Sequence, residues 1–170
     1  MRIFAWTFTT FVILTCNFTH PDFETSQELL TGRAVNQAQV LIRKAIFNVE
    51  VAHTVEMRTI GLSGRKELNT DSGMLFLYQT GSPTAYWMKD MLFPLDIIWI
   101  SQHCTISDIS ESVSIPTRDG IDSQIPRVYP KKSSAYVLEI NSGKSKEHGF
   151  KVGDKVKFTN MQNPFDDLCQ

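Results

Sequence analysis

Residues 38–158 contain a succession of short apolar stretches, and their irregular spacing is the feature that most limits the fold. In "FNVEVA", Phe47, Val49 and Val51 alternate with polar residues, which is the period-2 pattern of a half-buried strand. Comparable stretches occur at 38–52, 73–78, 95–100, 104–112, 135–140 and 152–158. No internal repeat and no regular alternation of strands with long helices is present, which argues against a doubly wound parallel sheet.

Two segments have the end signals of short helices. In "HTVEMRTIGLSGR" (53–65), Thr54 can cap the first turn and Gly61 can end the helix. Glu56 lies in the first turn, where the helix dipole favours an acidic side chain. The stretch "NSGKSKEHGF" predicts one or two helical turns that end at Gly149. The predicted fold class is α+β, mainly β: one compact domain of about seven mostly antiparallel strands, barrel- or sandwich-like, with two short helices.

The N-terminal residues differ from the rest of the chain. The segment "IFAWTFTTFVIL" (3–14) carries no charge, and it is shorter than the ~20 residues of a bilayer span. Its length is typical of the apolar region of a signal peptide. Cys16 follows closely, so the segment is either a cleaved signal peptide or a lipoprotein signal with Cys16 acylated, although Thr15 is an unusual residue before such a cysteine. An uncleaved N-terminal anchor is the remaining alternative.

The chain is therefore expected to be exported, periplasmic or on the outer surface, with or without a lipid anchor. Membrane contact is expected only through the N-terminal signal or that lipid. The predicted organisation is a signal at 1–16, a flexible tether at 17–37, a β-rich domain at 38–158 and an irregular C-terminal tail at 159–170.

Cys104 and Cys169 remain once Cys16 is removed or lipidated. An even number of cysteines in an oxidising compartment permits a disulfide. Two unpaired thiols are the alternative, and the sequence leaves both open.

Charge and motif content exclude several classes of function. The formal net charge is −1 with acids and bases intermixed, so nucleic acid is not an expected partner. The four histidines and three cysteines lack metal-ligand spacing, and neither a metal nor another cofactor is expected. No phosphate-binding loop and no G-x-S-x-G elbow is present; Ser63 in "GLSGR" follows a predicted helix, where a nucleophile elbow requires a strand.

Asp96 is a carboxylate within the apolar stretch "LDIIWI" (95–100). A buried carboxylate is costly unless it is paired or hydrogen-bonded, so Asp96 is expected to have a partner. Lys89, Arg58 and Arg65 are the candidate cations, and backbone N–H groups near the preceding bend are the alternative. Without a partner, a buried Asp96 would be suited to acid–base catalysis.

The segment before Asp96 adds further polar and aromatic residues. Trp87 and Met88 are neighbours in a strand and point to opposite faces, so one of them can face a cleft. Lys89 can bind an anion there, although Asp90 can neutralise it. Glu139 lies opposite the apolar face of its own strand and is expected to be solvated.

The order of the strings "VEVA", "GLSGR", "GMLF", "WMKD", "PLDIIWI", "VLEI" and "VGDKV" resembles a bacterial and archaeal family called domain of unknown function 192. The resemblance covers about residues 40–158 and implies a compact, mainly β domain without an assigned activity. The family pattern falls on Gly61, Leu62, Arg65, Gly73, Met74, Trp87, Met88, Lys89, Pro94, Leu95, Asp96, Glu139, Gly153 and Asp154. The chain departs from the pattern at Ser63, Gly64, Asp90 and Met91.

Three hypotheses for function follow from these residues. The preferred one is an exported or envelope-associated domain that binds a small molecule or an envelope component in a pocket lined by the Trp87–Asp96 segment. Its predicted ligand-binding residues are Arg65, Trp87, Lys89, Asp90 and Asp96. The alternatives are a hydrolase or lyase with Asp96 as general acid or base, and a non-catalytic interaction module that binds an envelope protein.

Overall fold

The computed structural model describes residues 37–78, 85–116, 125, 127–162 and 164–170, which form nine strands and two short helices. The predicted signal at 1–16, with Cys16, and the tether up to residue 36 lie outside the described residues. In chain order the elements are β1 (Gln39–Ile42), β2 (Ala45–Ala52), α1 (Val55–Ile60), β3 (Ser72–Leu77), β4 (Tyr86–Trp87), β5 (Leu95–Ile100), β6 (Ile106–Val113), β7 (Arg127–Val128), β8 (Tyr136–Asn141), α2 (Lys144–Glu147) and β9 (Val156–Thr159).

Seven of the strands form one curled sheet in the order β6-β5-β8-β3-β2-β1-β9. Neighbours are antiparallel except β2 and β3, which are parallel. At one end the two outer strands approach each other, because Thr105 pairs with Lys155 and the Ile106 N–H donates to the Asp154 carbonyl at 2.9 Å. The sheet is thus a half-barrel, and β4 and β7 form a separate two-stranded sheet. The predicted α+β, mainly β single domain is confirmed.

The two faces of the sheet carry separate apolar clusters. The inner face, which includes side chains from both outer strands, holds Ile98 and Ile100 of β5. The outer face holds Leu95, Ile97 and Trp99 of the same strand and is covered by loops. Because both faces are covered, β5 is buried at every position, which explains why its sequence is an almost uninterrupted apolar run.

Helix α1 begins and ends where the sequence predicts. The Thr54 hydroxyl accepts a hydrogen bond from the Met57 N–H at 3.2 Å, and Gly61 ends the helix with a φ of +51°. None of its residues is buried. Within the described residues, neither helix is long and apolar enough to cross a membrane.

The C-terminal segment is attached to the sheet by a disulfide between Cys104 and Cys169, one of the two alternatives left open by the sequence. The Phe158 N–H also donates to the Cys169 carbonyl at 2.8 Å. Phe165 and Leu168 pack against the inner apolar cluster, so the segment after β9 contributes to the core despite its irregular backbone.

Candidate functional site

The structure separates Asp96 from the other predicted site residues. Asp96 shares the inner face of β5 with Ile98, whereas its neighbours Leu95 and Ile97 belong to the outer cluster. Its side chain is fully buried, and its oxygens already accept three hydrogen bonds. Asp96 therefore does not line a pocket together with Trp87.

The partners of Asp96 are backbone N–H groups and one hydroxyl rather than a cation. Oδ1 accepts from the Ser112 N–H at 2.8 Å. Oδ2 accepts from the Ser145 N–H at 2.9 Å and from the Ser145 hydroxyl at 2.5 Å. None of the three candidate cations pairs with it, and hydrogen bonding by the backbone is the alternative observed. The carboxylate joins β5 to the end of β6 and to the start of α2.

The four remaining predicted residues lie in one region of the outer face. The Ser63 hydroxyl donates to the Lys89 carbonyl at 2.9 Å, and the Gly64 N–H donates to the Asp90 carbonyl at 2.8 Å. These bonds join the loop of residues 61–65 to the turn of residues 88–91. Arg65 belongs to the loop, and Lys89 and Asp90 to the turn.

Trp87 and Met88 point to opposite sides, as their adjacent positions predict. The Met88 side chain is buried in the outer cluster, whereas the Trp87 side chain is 43% exposed. The Lys89 ammonium lies 5.3 Å from the centre of the Trp87 ring, and the Arg127 guanidinium lies 6.0 Å from it. Trp87 with its two cations therefore forms a surface feature, and the residue that reaches the interior is Met88.

Beneath the loop and the turn, one row of side chains crosses four strands on the outer face. Glu50 of β2 is opposite Met74 of β3, Met74 is opposite Glu139 of β8, and Glu139 is opposite Ile97 of β5. In the two antiparallel pairs, which both include Glu139, directly opposite residues have Cβ atoms about 5 Å apart. Arg65 reaches down to this row and forms a bidentate pair with Glu50, with Nη2 and Oε2 2.8 Å apart.

Glu139 is the unusual member of this row. Its residue surface is 6% exposed, so the expectation that Glu139 is solvated is wrong. The reason is that β8 lies between β3 and β5, whose side chains enclose the Glu139 side chain on both sides. Burial raises the pKa of its carboxyl from the ordinary 4.5 to about 8.

No described residue forms a hydrogen bond or an ion pair with the Glu139 carboxyl. The described residues also contain no side-chain oxygen or nitrogen that is both sealed from solvent and unpartnered. By elimination, each carboxyl oxygen of Glu139 keeps a small contact with solvent. We call this site the Glu139 cleft: the row of Glu50, Met74, Glu139 and Ile97 with the loop of residues 61–65 and the turn of residues 88–91 above it.

Two tyrosine hydroxyls lie within electrostatic reach of Glu139. The hydroxyls of Tyr78 and Tyr86 are 2.8 Å apart and hydrogen-bonded to each other. Burial raises the pKa of both phenols above the usual value, and the negative charge of Glu139 contributes to the rise. At neutral pH the cleft therefore presents a protonated carboxyl near two protonated hydroxyls, all of which can donate or accept a hydrogen bond.

The buried side chains that surround Glu139 in the cleft are otherwise apolar. Met88, Met91 and Leu62 are buried in the same outer cluster as Met74, and Tyr86 packs edge-on against neighbouring aromatic rings. Few polar groups in apolar surroundings are the usual composition of a small-molecule site. The described residues contain no cluster of three or more His, Cys, Asp or Glu side chains placed to bind a metal.

Glu139 is not among the residues that the sequence predicted as ligand-binding. Arg65, Lys89 and Asp90 belong to the loop and turn of the cleft, and Trp87 lies at its surface. Glu139 falls on the family pattern, and that resemblance was the signal that could have identified it. The alternation along β8 placed its side chain on the correct face but did not reveal that this face is covered.

A family model described as DUF192, Uncharacterized ACR, matches residues 38–158. Solved structures similar to the chain include two that each have 28% sequence identity with it. The first, a protein of unknown function from Novosphingobium aromaticivorans DSM 12444, has a TM-score of 0.62, with 71% of this chain and 82% of that chain covered. The second, from Sinorhizobium meliloti 1021, is described as a candidate transcription regulator; its TM-score is 0.63, with 73% and 93% covered. Among curated proteins, nothing matches the chain.

Proposed function

Because the chain belongs to the uncharacterised DUF192 family, we propose its function from its own geometry: an exported domain that binds a small molecule in the Glu139 cleft. The observation that carries the proposal is the Glu139 carboxyl, which is buried, unpartnered among the described residues and still in contact with solvent. Leaving such a group without a partner costs free energy, and a ligand that supplies a partner recovers it.

The export half of the proposal has two supports. The uncharged segment at 3–14 has the length of a signal-peptide apolar region. The disulfide between Cys104 and Cys169 is of a kind that persists in oxidising compartments. Cell fractionation followed by mass spectrometry of the mature N-terminus tests this half, because recovery of intact Met1 in the cytosolic fraction would contradict export.

A thermal-shift screen of a small-molecule library tests the binding half. Wild type is compared with Glu139→Gln, which keeps the size of the side chain, and with Glu111→Gln, the same substitution at an exposed position of β6. We expect compounds that raise the melting temperature of wild type and of Glu111→Gln but not of Glu139→Gln. A screen in which every stabilising compound acts equally on all three proteins would contradict the proposal.

Catalysis by Asp96 is not favoured by the geometry. A general acid or base must reach the proton that it transfers. The Asp96 oxygens are fully buried and accept three hydrogen bonds from Ser112 and Ser145. The cleft residue with a pKa near the physiological range is Glu139.

A further inference from the structure

The basic side chains around the Glu139 cleft are all engaged elsewhere. Arg65 forms its bidentate pair with Glu50. Arg58 donates to two backbone carbonyl oxygens at 2.7 and 3.0 Å. Lys89 extends over an exposed indole ring. Within the described part of the chain, no ammonium or guanidinium group therefore neutralises the Glu139 carboxylate.

The surroundings of Glu139 suit a cation with an apolar body. Met74 is directly opposite on β3, and Met88, Met91 and Tyr86 belong to the same buried cluster. Thioethers are polarisable and adapt to irregular shapes, and the face of an aromatic ring attracts cations. A bound cation would neutralise the charge of the Glu139 carboxylate, and its apolar part would contact these side chains.

We propose that the Glu139 cleft binds the ammonium group of a small organic amine, with the Glu139 carboxylate as its counter-ion and the methionine side chains around its apolar part. This inference rests on the proposed small-molecule function and specifies its ligand class. A neutral hydrogen-bond acceptor, which would bind the protonated carboxyl, is the competing ligand class.

The two ligand classes differ in what happens to the carboxyl proton. When an ammonium ion binds, the O–H bond of the Glu139 carboxylic acid breaks, the proton passes to solvent, and the carboxylate accepts an N–H hydrogen bond from the ligand. When a neutral acceptor binds, the proton remains on the carboxyl and is donated to the ligand. Amine affinity therefore rises with pH while Glu139 is protonated in the free protein, whereas acceptor affinity falls once it ionises.

Among the shifted groups of the cleft, Glu139 has the pKa closest to the pH range of the binding experiment, pH 6 to 8. The pKa values of Tyr78 and Tyr86 are raised from 10, mainly by burial. Hydrogen bonding between Arg65 and Glu50 lowers the pKa of the acid and raises that of the base. The shifts of these four groups move their pKa values away from the range between pH 6 and pH 8, whereas the pKa of Glu139 is raised to about 8.

Isothermal titration calorimetry with matched amines and alcohols tests the inference. The probes are methylamine, butylamine and benzylamine, each paired with the corresponding alcohol, in phosphate buffer because it contains no amine. Titrations of wild type, Glu139→Gln and Glu111→Gln are run at pH 6, 7 and 8. The melting temperature of each variant at pH 6, where Glu139 is protonated, checks that it is folded.

At least one amine is expected to bind wild type and Glu111→Gln, with an affinity that rises up to about tenfold per pH unit between pH 6 and about 8. Its alcohol partner and the Glu139→Gln variant are expected to show at least a tenfold loss. Failure of all three amines, or amine binding that survives Glu139→Gln unchanged, would overturn the inference.

The titrations and the library screen together distinguish failure of the proposed ligand class from failure of the proposed small-molecule function. If the alcohols bind as well as the amines and require Glu139, the site binds neutral acceptors: the ligand class is wrong and the small-molecule function stands. If neither series binds and the library screen finds no compound that depends on Glu139, both proposals fail.

Discussion

Asp96 and Glu139 lie on neighbouring strands, and both carboxyls are buried, but their surroundings differ in hydrogen-bond donors. Asp96 accepts three hydrogen bonds, whereas no described residue donates to Glu139. A carboxylate held by backbone N–H groups stabilises the fold, and an unpartnered carboxyl in contact with solvent is available to a ligand. The sequence, in which both acids interrupt apolar strands, could not distinguish the two because the donors come from distant residues.

Substitution of Glu139 should remove a pH dependence of stability. Its pKa is raised from 4.5 to about 8 in the folded state, so the folded protein holds the proton more tightly. The free energy of unfolding should therefore fall by up to about 1.4 kcal/mol per pH unit between 4.5 and about 8, and this contribution should be constant above that range. Urea unfolding of wild type and Glu139→Gln at pH 5, 6, 7 and 8 measures the difference.

The Glu139→Gln curve should be flatter than that of wild type across this range, while Glu111→Gln should keep the wild-type slope. Parallel curves for wild type and Glu139→Gln would contradict a raised pKa for Glu139.

Asp96→Asn should destabilise the fold strongly despite the similar size of the side chains. Both carboxylate oxygens accept from backbone N–H groups, so either orientation of the amide places its NH₂ group against a donor. We expect a loss of about 2–4 kcal/mol in the free energy of unfolding, measured by urea denaturation at pH 7. Asp167→Asn, at an exposed position, serves as the control and should change little. A loss below about 1 kcal/mol would mean that these hydrogen bonds are not important for stability.

At the scale of elements, strand β3 requires glycine at position 73. A Cβ at Gly73 would lie 2.7 Å from the Glu139 carbonyl oxygen, which is closer than such atoms approach. That oxygen belongs to the backbone of a central strand and cannot move aside without disturbing β8. Gly73 therefore allows β3 and β8 to approach at the position where the Glu139 cleft is built.

Gly73→Ala should accordingly lower stability by about 1–3 kcal/mol through overpacking. Ser72→Ala, at the preceding half-buried position of the same strand, is the matched control and should have a small effect. Chemical denaturation of both variants measures the difference, and equal stability of the two would show that the strands can separate at low cost.

The elements themselves were largely predictable. Alternation in "FNVEVA" and the cap residues Thr54 and Gly61 are local signals, and local hydrogen bonds decide those boundaries. The order of strands in the sheet is not local, because β8 inserts between β3 and β5 from far along the chain. The burial of Glu139 depends on that order, which is why the strand was predicted and its central residue was misjudged.

At the scale of the whole molecule, the disulfide connects the segment before β6 to the C-terminal segment across a separation of 65 residues. Removing it should lower stability by about 2–4 kcal/mol, mainly by increasing the conformational entropy of the unfolded chain. Thermal melting of wild type with and without dithiothreitol, beside a Cys104→Ala/Cys169→Ala double variant, tests this. Wild type should melt at a lower temperature when reduced, whereas the double variant should not respond; an equal response of both would show that the effect does not arise from this bond.

The meeting of the outer strands also has a consequence for self-association. An open sheet ends in two edges whose free N–H and C=O groups can template the addition of a strand from another molecule. Here the pairing of Thr105 with Lys155 and the adjacent disulfide engage both edges at one end of the half-barrel. The same contacts that hold the C-terminal segment in place thus shorten the edge available for aggregation.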